Sequence, residues 1–257
     1  MLTKIKKYIV FLLILTTIFS LHVVNAAEQN PVKNEAEFAN FRNVRAGKIG
    51  RNILYRSQHP ANGSSRSIYA NKLAQENGIR YVLNLSDSKS QLKKYFKNNQ
   101  ISPSYYYRTL YNKNRIYTAH MSGRHTSSSY RKKVARSLRF MSKHNGPFLV
   151  HCQVGRDRTG FVILLLECLM EASYKDMLND YAQSYVNING YSLAQSQSKA
   201  DQCLNEEFQY MTGKKNVTDW TKVNLVKYAE RYLKKGGMTS REIKKLKKRL
   251  SVSRSSR

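Results

Sequence analysis

Hydrophobic and polar positions follow two different periods between residues 41 and 171. Short apolar runs, rich in β-branched and aromatic residues and bounded by turn residues, predict strands at 41–44, 53–56, 79–86, 105–110 and 147–150. Apolar positions at helical spacing predict helices at 67–78, 91–98, 127–146 and 159–171, and the polar segment 111–125 predicts a loop. Because strand and helix patterns alternate at short intervals, we expect an α/β domain whose central, largely parallel sheet is flanked by helices.

The pattern after residue 172 is helical. Ser173, followed three residues later by Asp176, is typical of a capping box at the start of a helix. The polar segment 187–216 leaves helix and loop both open. The last segment, 217–250, predicts two helices separated by a pair of glycines. We therefore predict a main domain at 27–215 and a basic helical C-terminal extension at 216–257.

The first 26 residues have the pattern of a secretory signal peptide. Lys4, Lys6 and Lys7 precede an apolar stretch at 8–24, and small residues around Ala26 resemble a cleavage site. An uncleaved membrane anchor is the alternative, since the stretch is close to the length that spans a bilayer. The pattern predicts a secreted or periplasmic protein.

The chain is strongly basic, with a formal net charge of +29 over 257 residues. Such a charge attracts polyanions, among them phosphorylated substrates, anionic lipid and nucleic acid. We find no nucleic-acid-binding motif and expect no such partner. The basic C-terminus is either a solvated tail or a patch for an anionic membrane surface.

The chain's three cysteines are too few for a disulfide framework. Cys168 lies in an apolar run, which favours a buried and inert thiol. Cys152 is different, because it follows a predicted strand in the stretch HCQVGRDRTG and precedes a predicted helix. No second cysteine or histidine lies at a metal-ligand spacing from it, so we expect neither a metal nor a cofactor.

The loop after Cys152 has the composition of an anion site. A turn near Gly155 at the start of a helix directs consecutive amides into one concavity, and Arg156 and Arg158 add positive charge. Each of these features stabilises a thiolate over a thiol, so Cys152 is predicted to be a nucleophile. A tetrahedral phosphate, held in bidentate fashion by Arg158, fits such a loop.

The motif HCQVGRDRTG resembles the H-C-x5-R-[ST]-G signature of the cysteine-dependent protein tyrosine and dual-specificity phosphatases. Its C-x4-D-R-T spacing is similar to that of bacterial tyrosine phosphatases and of myotubularin-type phosphoinositide phosphatases. The resemblance implies a dual-specificity-phosphatase-like fold and a phosphocysteine intermediate on Cys152. It implies further roles along the loop: phosphate binding by Gln153, Val154, Gly155, Arg156, Asp157 and Arg158, assistance to the departing sulfur by Thr159, and ordering of the loop by His151 and Gly160.

The general acid is where the sequence departs from that family. Most relatives carry an aspartate about thirty residues before the cysteine, whereas here no acidic residue occurs between Asp87 and Asp157. Asp157 ranks first as the acid because it matches the D-R-T subgroups. His120, near the family's usual position, ranks second. Asp87, at the carboxyl end of a strand, is a third candidate.

Three functions remain open on sequence. The first is an exported phosphatase for phosphotyrosine in proteins, with phosphoserine and phosphothreonine left open as further substrates. The second applies the same chemistry to phosphoinositides or inositol polyphosphates. The third is a catalytically inactive module that only binds phosphate, which the intact Cys152, Arg158 and Thr159 disfavour.

Overall fold

The computed structural model describes residues 34–97, 104–122, 125 and 127–252. The predicted signal peptide at 1–26 lies outside these residues. Within them, no helix is both long and apolar enough to cross a membrane.

A five-stranded sheet forms the centre of the fold, in the order β1-β2-β5-β3-β4. Its strands are β1 (Arg42–Asn43), β2 (Leu54–Ser57), β3 (Tyr81–Asn84), β4 (Ile116–Thr118) and β5 (Phe148–His151). β5 lies between β2 and β3 and is parallel to both, β4 is parallel to β3, and only β1 pairs antiparallel. The predicted α/β class and the largely parallel sheet are confirmed.

Ten α-helices surround this sheet in the described residues. They are α1 (Glu35–Phe38), α2 (Ser65–Glu76), α3 (Lys89–Lys97), α4 (Tyr105–Asn112), α5 (Ser128–Ser142), α6 (Asp157–Leu169), α7 (Tyr174–Asn189), α8 (Leu193–Thr212), α9 (Leu225–Lys235) and α10 (Ser240–Ser251). A 3-10 turn, Trp220–Lys222, precedes α9.

The two faces of the sheet bury different cores. In β5, Phe148 and Val150 point to one core and Leu149 to the other, as the two-residue period of a strand requires. The first core also contains residues from α5 to α10, and the second contains residues of α2, α3 and α4. Helix α6, which follows the loop containing Cys152, is buried from Thr159 to Leu169 and is therefore held in place by packing along its length.

Two secondary-structure predictions are wrong. The aromatic run 105–110 is helix α4 and not a strand, because a helix buries Tyr107 and Leu110 on one face against the second core. The predicted loop at 111–125 contains β4, whose short run adds to the sheet edge beside β3. The segment left open at 187–216 contains α8, which starts with a capping box between Ser192 and Gln195.

The C-terminal region is helical, as predicted. The capping box of α10, between Thr239 and Glu242, is present, and the glycine pair separates α9 from α10. Its apolar side chains belong to the first core, among them Leu233, Ile243 and Leu246. The proposed boundary at 215/216 therefore crosses a continuous core.

We predict that Leu246→Ala destabilises the whole chain by about 2–5 kcal/mol, because it leaves a cavity where a fully buried side chain stood. Urea unfolding measures the effect, with Lys248→Ala, an exposed position on the same helix, as the control. A main transition unchanged in midpoint would show that 216–257 is an independent extension.

Candidate active site

The loop of residues 152–156 joins β5 to α6 at the carboxyl end of the parallel strands. This edge is where α/β sheets place their ligand sites. Gly155 has a φ of +76°, and a Cβ built there would stand 2.2 Å from the carbonyl oxygen of Ser57. Only glycine allows the loop to lie this close to the end of β2.

Every carbonyl group of this loop accepts a hydrogen bond from the surrounding protein. Cys152 O accepts from His151 Nδ1 at 3.0 Å, and Gln153 O accepts from the His59 amide at 3.1 Å. Asn40 Nδ2 donates to Val154 O at 3.5 Å and to Gly155 O at 3.2 Å, and Arg56 Nη2 also donates to Gly155 O at 2.9 Å. Arg156 O accepts from the Gly160 amide at 2.6 Å. The carbonyl oxygens are thus turned towards the body of the protein.

The N–H groups of the same loop, unlike its carbonyl groups, lack hydrogen-bond partners among the described residues. Within the described part of the chain, no acceptor is recorded for the N–H groups of residues 153–158. Those of Asp157 and Arg158 open α6, where the helix dipole adds positive potential. Backbone donors seldom lack a partner, and free amides at the start of a helix can bind an anion.

Cys152 lies at the base of the loop and is 2% exposed. Arg158 is half-buried, and its Nη1 donates to the carbonyl oxygen of Met121 at 3.2 Å. The pKa of the buried Tyr130 hydroxyl is raised by burial and further by Glu207, Tyr232 and Cys152, and it is lowered by Arg158. Thr159 is fully buried, and its Oγ1 has no hydrogen-bond partner among the described residues.

His151 belongs to a buried chain of hydrogen bonds. Its Nδ1 donates to Cys152 O, so its Nε2 accepts from the Tyr107 hydroxyl at 2.8 Å, and that hydroxyl accepts from Asn84 Nδ2 at 3.0 Å. Burial lowers the pKa of His151 to about 3. The ring is therefore neutral, and it can order the loop through these contacts without adding charge.

Asp87 lies beneath the loop and is 1% exposed. Its Oδ2 accepts from His59 Nε2 at 2.5 Å and its Oδ1 from Gln153 Nε2 at 3.1 Å. The Ala61 amide donates to His59 Nδ1, so Nε2 carries the proton of this ring. Asn62 Nδ2 donates to Gln153 Oε1 at 3.0 Å, which leaves the Gln153 side chain fixed at both ends.

This environment disfavours Asp87 as the general acid. Burial acts to raise the pKa of its carboxyl group, but the hydrogen bond from His59 and that from Asn84 prevail and hold the pKa at about 2. A general acid must carry a proton at the working pH. The geometry fits Asp87 better as a support for the loop.

Asp157 is exposed at the start of α6. Its Oδ1 accepts from Arg156 Nε at 2.8 Å. The Arg156 guanidinium also donates to Asn189 Oδ1 at 2.7 Å and lies over the Tyr185 ring, 5.0 Å from its centroid. The side chain of Arg156 is thus directed towards α7, at the rim of the loop.

His120 is exposed on the segment that passes over the end of β3. Its amide donates to Asp87 O at 3.2 Å, and its carbonyl oxygen accepts from Lys133 Nζ. Its φ of +45° marks a turn that brings the segment 119–121 against β3. His120 therefore stands at the same sheet edge as the loop.

Arg56, which the sequence left undecided between an ion-pair and a pocket role, anchors the loop. It is fully buried, pairs with Asp180 of α7 and holds Gly155 O. Arg42 pairs with the other oxygen of Asp180 at 2.9 Å. The loop is thereby joined to β1, β2 and α7.

Val154 in the loop and Gly160 in α6 complete the predicted site residues. Val154 is 40% exposed at the tip of the loop. Gly160 faces Tyr181 of α7, and a Cβ there would stand 2.6 Å from that ring. The described residues contain no group of three or more His, Cys, Asp or Glu side chains placed to hold a metal ion.

A family model described as tyrosine phosphatase family matches residues 30–252. The chain belongs to the tyrosine phosphatase family. The family resemblance predicted from HCQVGRDRTG is thereby confirmed, and the match extends through α10 into the predicted C-terminal extension. Comparison with curated proteins finds no match.

Among solved structures, this tyrosine phosphatase family member is similar to the core catalytic domain of the PP-IP phosphatase SIW14 from S. cerevisiae, solved in complex with citrate. Identity is 19%, the match covers 68% of this chain and 91% of that one, and the TM-score is 0.37. A likeness at this level says nothing about substrate.

Sequence reasoning missed most of the residues that support the loop. His59 contacts the loop directly at Gln153, whereas Tyr107 contacts His151 and Asn84 contacts Asp87, and all three come from segments far away in the chain. A weak signal did exist, since His59 comes shortly after the predicted strand 53–56 and polar Asn84 interrupts the apolar run of the predicted strand 79–86.

The other two cysteines of the phosphatase are free in the structure. Burial raises the pKa of the Cys168 thiol well above its usual value, which fits the predicted inert thiol. Burial also raises the pKa of Cys203, whose Sγ lies 3.2 Å from the Tyr185 hydroxyl.

We predict that Asp87→Asn destabilises the protein by about 2 kcal/mol at pH 7, because the folded state holds the pKa of this carboxyl at about 2, below its ordinary value of 3.8. A carboxyl group whose pKa is lowered by folding contributes its full stabilisation at pH values above its ordinary pKa, here 3.8. The stabilisation is then lost as pH falls towards 2.

Urea unfolding at pH 7 and at pH 3 and below measures this difference, with Glu206→Gln, an exposed carboxylate, as the control. A stability gap between wild type and Asp87→Asn that stays constant over this range would contradict the assignment of a buried, ionised Asp87.

Proposed function

We propose that the protein is a cysteine-dependent phosphatase that hydrolyses phosphate monoesters through a phosphocysteine intermediate. The observation that carries this proposal is the loop of residues 152–158, with its carbonyl groups bound to the protein and its amides free around a cysteine. Membership of the tyrosine phosphatase family supports it.

In the first step, the sulfur of Cys152 attacks phosphorus. An S–P bond forms, the P–O bond to the leaving group breaks, and the leaving oxygen takes a proton from an acid. The amides of 153–158 and the Arg158 guanidinium stabilise the equatorial oxygens as charge develops. In the second step, water attacks phosphorus and its proton passes to the acid that was deprotonated in the first step. A P–O bond forms, the S–P bond breaks, and the thiolate departs, stabilised by the hydroxyl of Thr159.

Asp157 remains our first candidate for the acid. It stands at the rim of the loop, exposed to an incoming leaving group, and Arg156 fixes its carboxylate. His120, exposed across the same sheet edge, is the second. Asp87 is engaged beneath the loop and is not retained for this role.

We propose phosphotyrosine in proteins as the main substrate. Because Cys152 is 2% exposed, a phosphate on a long, rigid side chain reaches it better than one on serine or threonine.

The alternative is an inositol polyphosphate or phosphoinositide. It is supported by the absence of acidic residues between Asp87 and Asp157 in a stretch that includes β4, α5 and the loop. Action outside the cytoplasm rests on the leader pattern at 1–26.

Turnover of three substrates tests the mechanism and the substrate together. We expect the wild type to hydrolyse a phosphotyrosine peptide faster than a phosphoinositide or inositol hexakisphosphate. Cys152→Ser should lose turnover of all three by several orders of magnitude yet still bind vanadate, because the amides remain. Unchanged turnover would refute the mechanism, and a preference for an inositol phosphate would select the alternative.

We expect Asp157→Asn to slow hydrolysis of a phosphotyrosine peptide about 100-fold or more, since its leaving group needs a proton. Hydrolysis of an aryl phosphate with an acidic phenol should change little. The ratio of kcat values for the two substrates measures the effect, and His120→Asn is the matched variant. Equal slowing of both substrates by Asp157→Asn would remove it from the acid role.

A further inference from the structure

Helices α5, α9 and α10 form the layer that covers the first core on the outside. We define the basic face as the exposed side chains of α9 and α10. Its main members are Arg231, Lys234, Arg241, Lys244, Lys245 and Lys248.

The two sides of α10 differ completely. Ile243, Leu246 and Leu250 are buried, whereas the exposed charged side chains of this helix, Arg241, Lys244, Lys245 and Lys248, are all cationic. The exposed stripe of this helix therefore consists of positive charges held at fixed positions by a buried apolar side.

The acidic residues of α9 and α10 do not compensate these charges. Glu230 of α9 pairs with Lys247 at 3.6 Å, and Glu242 of α10 pairs with Arg139 of α5 at 2.7 Å. Each is neutralised by a cation outside the exposed stripe. Lys244, Lys245 and Lys248 have no ion pair among the described residues.

We propose that the basic face binds the surface of an anionic lipid bilayer. Lysine carries a compact charge on a flexible stem and attracts lipid head groups without a shaped pocket, so a helix with a lysine stripe suits a flat, charged surface. Val252, half-exposed directly after α10, adds an apolar contact at one end.

Nucleic acid fits this face less well. Single-stranded nucleic acid is bound through aromatic side chains on which bases stack. Among the described residues, the exposed large apolar side chains other than Val252 lie on other elements, such as Tyr105 on α4 and Tyr210 on α8. Among the described residues, the basic face has no exposed aromatic side chain on which a base could stack.

Sedimentation of the full chain with vesicles tests the proposal. We expect binding to phosphatidylcholine vesicles that contain phosphatidylserine, at physiological ionic strength, and little binding to phosphatidylcholine alone. The triple variant Lys244→Glu, Lys245→Glu and Lys248→Glu should lower the partition coefficient about 100-fold.

The matched control is Lys93→Glu, Lys94→Glu and Lys97→Glu. These lysines have the same spacing on α3, are exposed, and change the net charge equally, but α3 packs on the other side of the sheet. We expect this variant to keep most of the binding. Both variants should hydrolyse a small aryl phosphate at the wild-type rate, which separates this test from that of the proposed function.

Three results would overturn the proposal. Equal loss in the two triple variants would show attraction by total charge. No binding of the wild type to the anionic vesicles would remove the partner. The third result is that a single-stranded oligonucleotide binds the protein more tightly than the vesicles do and displaces it from them. If the α10 triple variant also loses binding to the oligonucleotide, the basic face would be assigned to nucleic acid.

Discussion

The active site depends on how the carbonyl groups of one loop are held. A loop of residues 152–156 that turned its carbonyl oxygens inward would repel a phosphate. Here Arg56, Asn40 and His151 hold those oxygens on the protein side, so the amides must face the opposite way. The positive φ of Gly155, forced by the nearby end of β2, completes the turn.

Holding the loop in this way requires buried charge. Arg56 and Asp87 are almost completely removed from water, which is costly unless every charge is paired. Asp180 compensates Arg56, while His59, Asn84 and Gln153 compensate Asp87. Because these partners come from different strands and helices, the loop keeps its shape only when the whole sheet is assembled.

The sequence predicts the parts of this site that are local in the chain. Cys152, Gly155 and Arg158 fall within seven residues between an apolar strand and an apolar helix, so their chemistry can be inferred from spacing. Arg56 and Asp180 are 124 residues apart, and nothing in a single sequence pairs them. The acid stays a proposal, because Asp157 and His120 are both exposed and packing does not favour one over the other.

The fold shows the same division. Strands β3 and β5 are predicted because both of their faces are buried, which gives the apolar runs Tyr81–Leu83 and Phe148–Val150. Strand β2 is predicted from Ile53, Leu54 and Tyr55 alone, since its second half is the polar pair Arg56 and Ser57. Helix α4 is missed because Tyr105, Tyr106 and Tyr107 have high strand propensity. The segment is helical because a helix packs Tyr107 and Leu110 together against the second core. β4 is too short for a local signal and exists through its pairing with β3.

The most direct test of the account is to trap the intermediate. The wild-type enzyme is mixed with a labelled aryl phosphate, quenched in acid during the first turnover, and digested for peptide mapping. We predict that the label lies on the peptide containing Cys152, attached to sulfur. A burst of product with no label on Cys152, or with label on another residue, would contradict the claim that this loop presents a nucleophilic thiolate to phosphate.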